Sequence, residues 1–77
     1  MLILTAANAY PPCPLSGRQR DVVARVAAGY QTKQIAHDLG ISIKTVETHR
    51  HAAMRRAGAR NMADIVRYAI RHGLTSL

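Results

Sequence analysis

The chain has 77 residues, and its eleven Lys and Arg against four Asp and Glu give a net charge of +7 and a pI of about 10.9. This length allows one small domain, and the basic excess favours a polyanionic partner, nucleic acid first. A single cysteine excludes an internal disulfide. The apolar start is short and lacks a basic leader, so we expect a cytoplasmic protein with no membrane partner.

Residues 1–14 predict an N-terminal tail or the remnant of a linker, followed by a domain over residues 15–77. No charged side chain occurs before residue 16, and Pro11, Pro12 and Pro14 disfavour a helix. Cys13 lies among these prolines, and we expect it to be an ordinary linker thiol.

Four helices are predicted after the prolines, over about 17–28, 33–39, 43–57 and 62–72. Each segment is followed by a glycine that can end a helix, and each is preceded by a candidate N-cap, namely Ser16, Thr32, Ser42 and Asn61. Ser16 and Gln19 have the spacing of a capping box. No segment alternates with period two, so the predicted class is an all-α four-helix bundle.

The apolar residues of the first three segments recur at the helical period, which predicts one buried stripe on each. These stripes are Val22, Val23, Val26 and Ala27 in the first, Ile35, Ala36 and Leu39 in the second, and Val46, Ala53 and Ala57 in the third. A short helix, a turn at Gly40 and a longer helix then follow each other, as in a helix-turn-helix.

The third helix carries a polar face opposite its apolar stripe. At 100° per residue this face holds Lys44, Glu47, Thr48, His51 and Arg55. A lone amphipathic helix would present such a face to solvent, but the preceding helix, the glycine turn and the charge favour reading of base edges. Further basic residues around it would contact phosphates: Lys33, Arg50, Arg56 and Arg60. Arg50 lies close to Val46 in its angular position around the helix. Its side chain could therefore also run along the edge of the core or pair with an acid.

Six blocks of the sequence follow one known pattern in order and spacing: Leu15-Ser-Gly-Arg-Gln-Arg20, Ala28-Gly29-Tyr30, Lys33-Gln-Ile-Ala36, Leu39-Gly-Ile-Ser42, Thr45-Val46-Glu-Thr-His49 and Ala57-Gly58. Over residues 15–74 the chain resembles the LuxR-type helix-turn-helix family. It is most similar to NarL/FixJ-like response-regulator output domains and stand-alone GerE-like regulators.

The resemblance implies a regulator of transcription that binds double-stranded DNA as a homodimer through its last helix, without a cofactor. It implies base reading by Glu47, Thr48 and His51, and an inner structural role for His49. The predicted phosphate set is Lys33, Lys44, Thr45, Arg50, Arg55 and Arg60. RNA polymerase and a full-length relative are further candidate partners.

The sequence departs from the family pattern at several positions. Gln19 stands where Glu is usual, Ala57 and Ala59 replace larger aliphatics, and Met62 stands where Arg is common. Glu47 replaces a frequent Lys and can accept a hydrogen bond from cytosine N4. The alanines predict a thinner core near the fourth helix.

The fourth helix has a wider apolar arc than one side of a small domain requires. One interpretation is a core helix that is poorly covered. We favour packing of one flank, formed by Ala63, Val66 and Ile70, against a second copy across a two-fold axis. Tyr68 on the other flank is the competing candidate.

Other classes of function are disfavoured. His49 and His51 are two positions apart on a helix and point away from each other, so no metal site is expected, and no catalytic constellation occurs. A sigma-factor region-4-like domain is disfavoured by the fourth helix after Gly58 and by the run Thr45–His49. A small interaction module that forms inactive mixed dimers with a full-length LuxR-type regulator remains the alternative.

Overall fold

A computed structural model of the chain describes residues 13–75, and the regular structure in that range is four helices. We label them α1 (Gly17–Ala27), α2 (Thr32–Leu39), α3 (Ile43–Ala57) and α4 (Met62–Arg71). Each boundary lies within one residue of the predicted one, and the predicted all-α class is confirmed. The predicted tail falls mostly on residues 1–12, which lie outside the described residues, so the division of the chain at residue 15 stays a prediction.

Three of the four helices begin at the cap that the sequence predicts. Ser16 accepts from the backbone N–H of Gln19 at 3.2 Å, and Gln19 Oε1 accepts from the backbone N–H of Ser16 at 3.0 Å. Ser42 and Asn61 accept bonds of 3.0 and 2.9 Å from the backbone N–H three positions on. Each bond satisfies a donor that the first turn leaves open, which stabilises its helix by about 1 kcal/mol.

The start of α2 differs from the prediction. Gln31, not Thr32, is the N-cap, and no side chain caps this helix. Gln31 has the extended conformation of a cap residue, and its carbonyl already accepts from the N–H of Ile35 at 3.0 Å. The first turn therefore closes one residue earlier, and Thr32 is the first residue of the helix.

Glycines end α2 and α3 and set the direction of the next segment. Gly40 and Gly58 have φ of 67° and 70°, a left-handed conformation that a side chain disfavours. The N–H of Ile41 then reaches back to the carbonyl of Ala36 at 3.0 Å and closes the helix end. This closure leaves a short turn from which Ser42 starts α3.

The core has two buried clusters, and α3 contributes to both. One cluster joins α1, α2 and the start of α3 through Val22, Ile35, Ala36 and Val46. The other joins α1, the second half of α3 and α4 through Leu15, Val23, Ala53, Ile65, Tyr68 and Ala69. Burial of each Val or Ile side chain contributes about 1.5–3 kcal/mol. The third helix is therefore held along its length by its inner stripe.

Candidate nucleic-acid interface

The outward face of α3 carries the polar residues that the sequence predicts there. All five are exposed: Lys44, Glu47, Thr48, His51 and Arg55. On the opposite side, Val46 and Ala53 have no exposed area. The structure thus brings the three predicted base-reading residues onto one accessible face of a helix that is fixed to the core from behind. Their contact with bases stays a prediction.

The first turn of α3 contains an N-cap, Ser42, and a hydroxyl donor, that of Thr45, which is not used in the cap. The Ser42 hydroxyl donates to Thr45 Oγ1 at 2.8 Å and accepts from the Thr45 backbone N–H. Thr45 Oγ1 acts as an acceptor in this contact, so its own hydrogen can bond a further acceptor. Together with the open N–H groups of a helix N-terminus, this hydroxyl suits a phosphate oxygen.

Arg50 lies at the edge of the outward face and is half-buried. It lines a shallow groove of about 500 Å³ together with Val26, Tyr30 and Met62, among others. Its Nη2 is 3.5 Å from Nε2 of His51, and because a guanidinium only donates, the histidine nitrogen is the acceptor there. Within residues 13–75 Arg50 forms no ion pair with an acid, and its contact with a phosphate stays a prediction.

The remaining basic residues of the predicted set lie on separate elements. Lys33 is exposed in the first turn of α2, and Arg60 is exposed in the turn between α3 and α4. Arg56 differs from them, because its Nη1 donates to the backbone carbonyl of Pro14 at 3.3 Å. This contact spans 42 positions of the sequence, and no local pattern signalled it.

Asp64 fixes the turn that carries Arg60. Its Oδ2 accepts from the backbone N–H of Arg60 at 3.0 Å, and its Oδ1 accepts from Nη2 of Arg67 at 2.8 Å. The backbone hydrogen bond from Arg60 is the largest effect on the pKa of Asp64. Together with the weaker effects of the nearby Arg67 guanidinium it holds that pKa below its ordinary value of 3.8, against the opposing effect of desolvation. The charged carboxylate therefore orders the start of α4 and the turn before it.

The two candidate dimer flanks of α4 differ in how much of their side chains is exposed. Ala63 and Ile70 are exposed, Ile70 to 40%, whereas Val66 is half-buried and packs against the core. Tyr68, the competing candidate, is 8% exposed and belongs to the core cluster. Its ring packs inside the monomer and leaves less surface for a second copy than Ala63 or Ile70 does. The role of Ala63, Val66 and Ile70 stays a prediction.

Residues 13–75 contain no group of three His, Cys, Asp or Glu arranged to hold a metal ion. None of the four helices combines the length and hydropathy that a bilayer crossing requires.

A short helix, a glycine turn and a longer helix with an outward polar face define a helix-turn-helix domain of the DNA-binding type. The chain belongs to the luxR family of bacterial regulatory proteins, whose GerE model matches residues 13–69. The resemblance to LuxR-type domains noted from the sequence is thereby confirmed. The matched range covers all four helices except the last two residues of α4.

Three proteins that are similar to this chain are named as regulators. The transcriptional regulatory protein MctR of Rhizobium johnstonii is 41% identical over 63 residues, which are 82% of this chain and 29% of MctR. FixJ of Rhizobium meliloti is 44% identical over 59 residues, 77% of this chain and 29% of FixJ. The oxygen regulatory protein NreC of Staphylococcus aureus strain MRSA252 is 36% identical over 70 residues, 91% of this chain and 32% of NreC. The chain thus spans less than a third of the length of each of these relatives.

Proposed function

We propose that this domain binds specific double-stranded DNA sequences as a homodimer and regulates transcription, with α3 in the major groove. The observation that carries the proposal is the division of α3 into a buried aliphatic stripe and an exposed polar face. A major groove about 12 Å wide admits one helix, and side chains on the outward face then meet base edges. Glu47, Thr48 and His51 occupy the middle of that face.

Phosphate contacts would position the domain on the duplex. The proposed set is Lys33, Lys44, Thr45, Arg50, Arg55 and Arg60. Lys44 and Arg55 belong to the outward face of α3, Thr45 and Arg50 lie on the same helix, and Lys33 and Arg60 lie in the first turn of α2 and in the turn before α4. Because phosphates carry no sequence information, these residues supply affinity and orientation, and the binding should weaken with salt.

Dimerisation would use the outer flank of α4. Ala63 and Ile70 leave apolar surface exposed there, and Val66 lies beside them at the edge of the core. With a two-fold contact through this flank, the two copies of α3 would enter successive major grooves, about 10 base pairs apart. The expected target is therefore a palindrome with half-sites at that spacing.

The named regulators that match this chain support a role in transcription, and a bacterial regulator of this class would act in the cytoplasm. RNA polymerase is a candidate partner of such a regulator. The alternative function is a small module that pairs with a full-length LuxR-type regulator and inactivates it. In that case the α4 flank would be used and the polar face of α3 would not.

Selection from randomised duplexes, followed by an electrophoretic shift assay with the retained DNA, tests the proposal. We expect a palindromic consensus and a complex that excess random DNA does not displace. A matched variant, Lys44→Glu with Arg55→Glu, should lose the complex while keeping the dimer. If the wild-type chain retains no specific sequence but dissolves the complex of a full-length relative, the mixed-dimer function replaces the proposed one.

A further inference from the structure

Neither of the two adjacent residues at the centre of the outward face offers a hydrogen-bond donor. Glu47 is an exposed carboxylate, which only accepts, and within residues 13–75 it has no hydrogen bond and no ion pair. The hydroxyl of Thr48 donates to the backbone carbonyl of Lys44 at 3.0 Å. What Thr48 leaves for a partner is its methyl group and the lone pairs of its oxygen. The centre of the face is therefore acceptor-rich and partly apolar, although the domain around it is basic.

An unpaired carboxylate has a specific consequence in a DNA groove. Phosphates of both strands repel it over a distance of about 8–10 Å at ordinary salt. Guanine N7 and O6 and thymine O4 also repel it, since they are acceptors, whereas the donors on the major-groove edges are cytosine N4 and adenine N6. Only a base that presents an amino group in the major groove can offset the repulsion, so Glu47 disfavours guanine and thymine at the base that it meets.

Cytosine fits the carboxylate better than adenine does. Adenine presents its N7 lone pair beside N6, which opposes the second carboxylate oxygen, whereas cytosine presents a C–H beside N4. Thr48 complements this choice, because a methyl group packs well against the 5-methyl group of thymine. The two side chains are consecutive on α3, so they reach neighbouring base pairs.

We propose that Glu47 accepts from cytosine N4 and that Thr48 packs against a thymine methyl at the next base pair of each half-site. This inference rests on the proposed function and names the bases that the same face reads. It differs from the pattern expected of the family, in which the frequent Lys at this position would donate to guanine.

The first test repeats the selection with substitutions of Glu47. Wild type should retain cytosine at one position of the half-site, Glu47→Gln should shift that position to adenine, and Glu47→Lys should shift it to guanine, each by about tenfold or more in relative affinity. Asp21→Lys makes the same charge change on α1, where Asp21 forms a weak exposed pair with Arg18 at 3.9 Å. This control should raise affinity for all DNA and leave the base preference unchanged.

The second test isolates one methyl group on each side of the contact. Replacing the proposed thymine by deoxyuridine should weaken wild-type binding about fourfold, the factor that corresponds to burial of one methyl group. Thr48→Ser keeps the hydroxyl and removes the methyl group, so the Thr48→Ser variant should bind the thymine and deoxyuridine duplexes equally. A persistent loss with Thr48→Ser would remove Thr48 from the thymine contact.

The outcomes separate this inference from the function on which it rests. If wild type selects a defined sequence but the Glu47 variants change no position of it, the domain is a DNA-binding regulator and the cytosine contact is wrong. If wild type selects no sequence at all, the proposed function fails and the base assignment fails with it.

Discussion

The hydroxyl of Tyr68 on α4 donates a hydrogen bond to the sulfur of Cys13 at 3.5 Å, across 55 positions of the sequence. Burial of the ring, and then this contact, raise the pKa of Tyr68 to about 12. A second contact, from Arg56 to the carbonyl of Pro14, holds the same segment against the last turn of α3. Cys13 is therefore not an ordinary linker thiol, because it ties the chain before α1 to the helix proposed for dimerisation.

The raised pKa of Tyr68 predicts a stability change in base. An unfolded tyrosine loses its proton near pH 10, whereas the folded one keeps it until about 12. Between these values the folded state binds more protons than the unfolded state, so the free energy of unfolding falls as the pH rises. In Tyr68→Phe this part of the fall should be absent. Urea unfolding at about pH 9 and about pH 11.5 measures it.

Tyr30→Phe is the matched control for that experiment, because Tyr30 is 49% exposed. It should follow the wild-type pH dependence throughout. Equal slopes for wild type and Tyr68→Phe would show that ionisation of the buried ring is not linked to folding.

Asp64 predicts an acid-sensitive contribution to stability. Its folded pKa is lower than the ordinary value of 3.8, so the contribution is present above that value and is lost as the pH falls through the folded pKa. Asp64→Asn should lower the melting temperature at neutral pH and flatten its decline in acid. Asp21→Asn is the control, since its pair with Arg18 is long and exposed, and it should change little at either pH. If the melting temperature of Asp64→Asn falls in acid as steeply as that of the wild type, Asp64 is not the source of the acid-sensitive stability.

The sequence predicts the helices well because the signals that bound them are local. Ser16 with Gln19, and Ser42 with the N–H of Thr45, act over three positions. Contacts between distant segments leave no such signal, and the contacts of Cys13 and Pro14 were therefore missed. The sequence favours Thr32 as the cap of α2 because of its side-chain chemistry, whereas the backbone turn closes at Gln31.

The sequence predicts which residues of the candidate site are exposed, but it does not predict the hydrogen bonds among them. Helical period alone places Glu47, Thr48 and His51 on one outward face, and the structure has all three exposed. The same period could not decide which flank of α4 faces the core, because both flanks are apolar. That choice is made by packing of Tyr68 beside Leu15 and Val23. The hydrogen bond from the Thr48 hydroxyl to the backbone carbonyl of Lys44 likewise depends on a side-chain rotamer that the sequence does not determine.

Base reading predicts a loss of specificity when the outward side chains are shortened. Thr48→Ala and His51→Ala should each cost about 1–3 kcal/mol at the selected site and much less on random DNA. Both residues are exposed, so the fold should be unaffected. Titration of a labelled cognate duplex and a scrambled one measures the difference. Equal losses on the two duplexes would count against base contacts by either residue.

Phosphate binding predicts a change in salt dependence. Lys33→Ala should weaken binding to cognate and random duplexes alike and reduce the slope of log K against log salt by about 1. The motivation is the exposed position of Lys33 in the first turn of α2. Arg18→Ala removes the same charge from α1, outside the proposed phosphate set, and should leave the slope nearly unchanged. An unaltered slope for Lys33→Ala would exclude this residue from the phosphate contacts.

The α4 flank predicts the effect of a charge at Ile70. If its exposed side chain is covered by a second copy, Ile70→Asp places an unpaired carboxylate in an apolar contact, which costs several kcal/mol and should give a monomer. Ile43→Asp makes the same change at a side chain that is 48% exposed on α3, and it should leave the dimer intact. Sedimentation equilibrium reports the assembly, and circular dichroism checks that both variants keep their helices. A dimer that persists in Ile70→Asp would move the interface to another surface, and the half-site spacing expected from α4 would no longer follow.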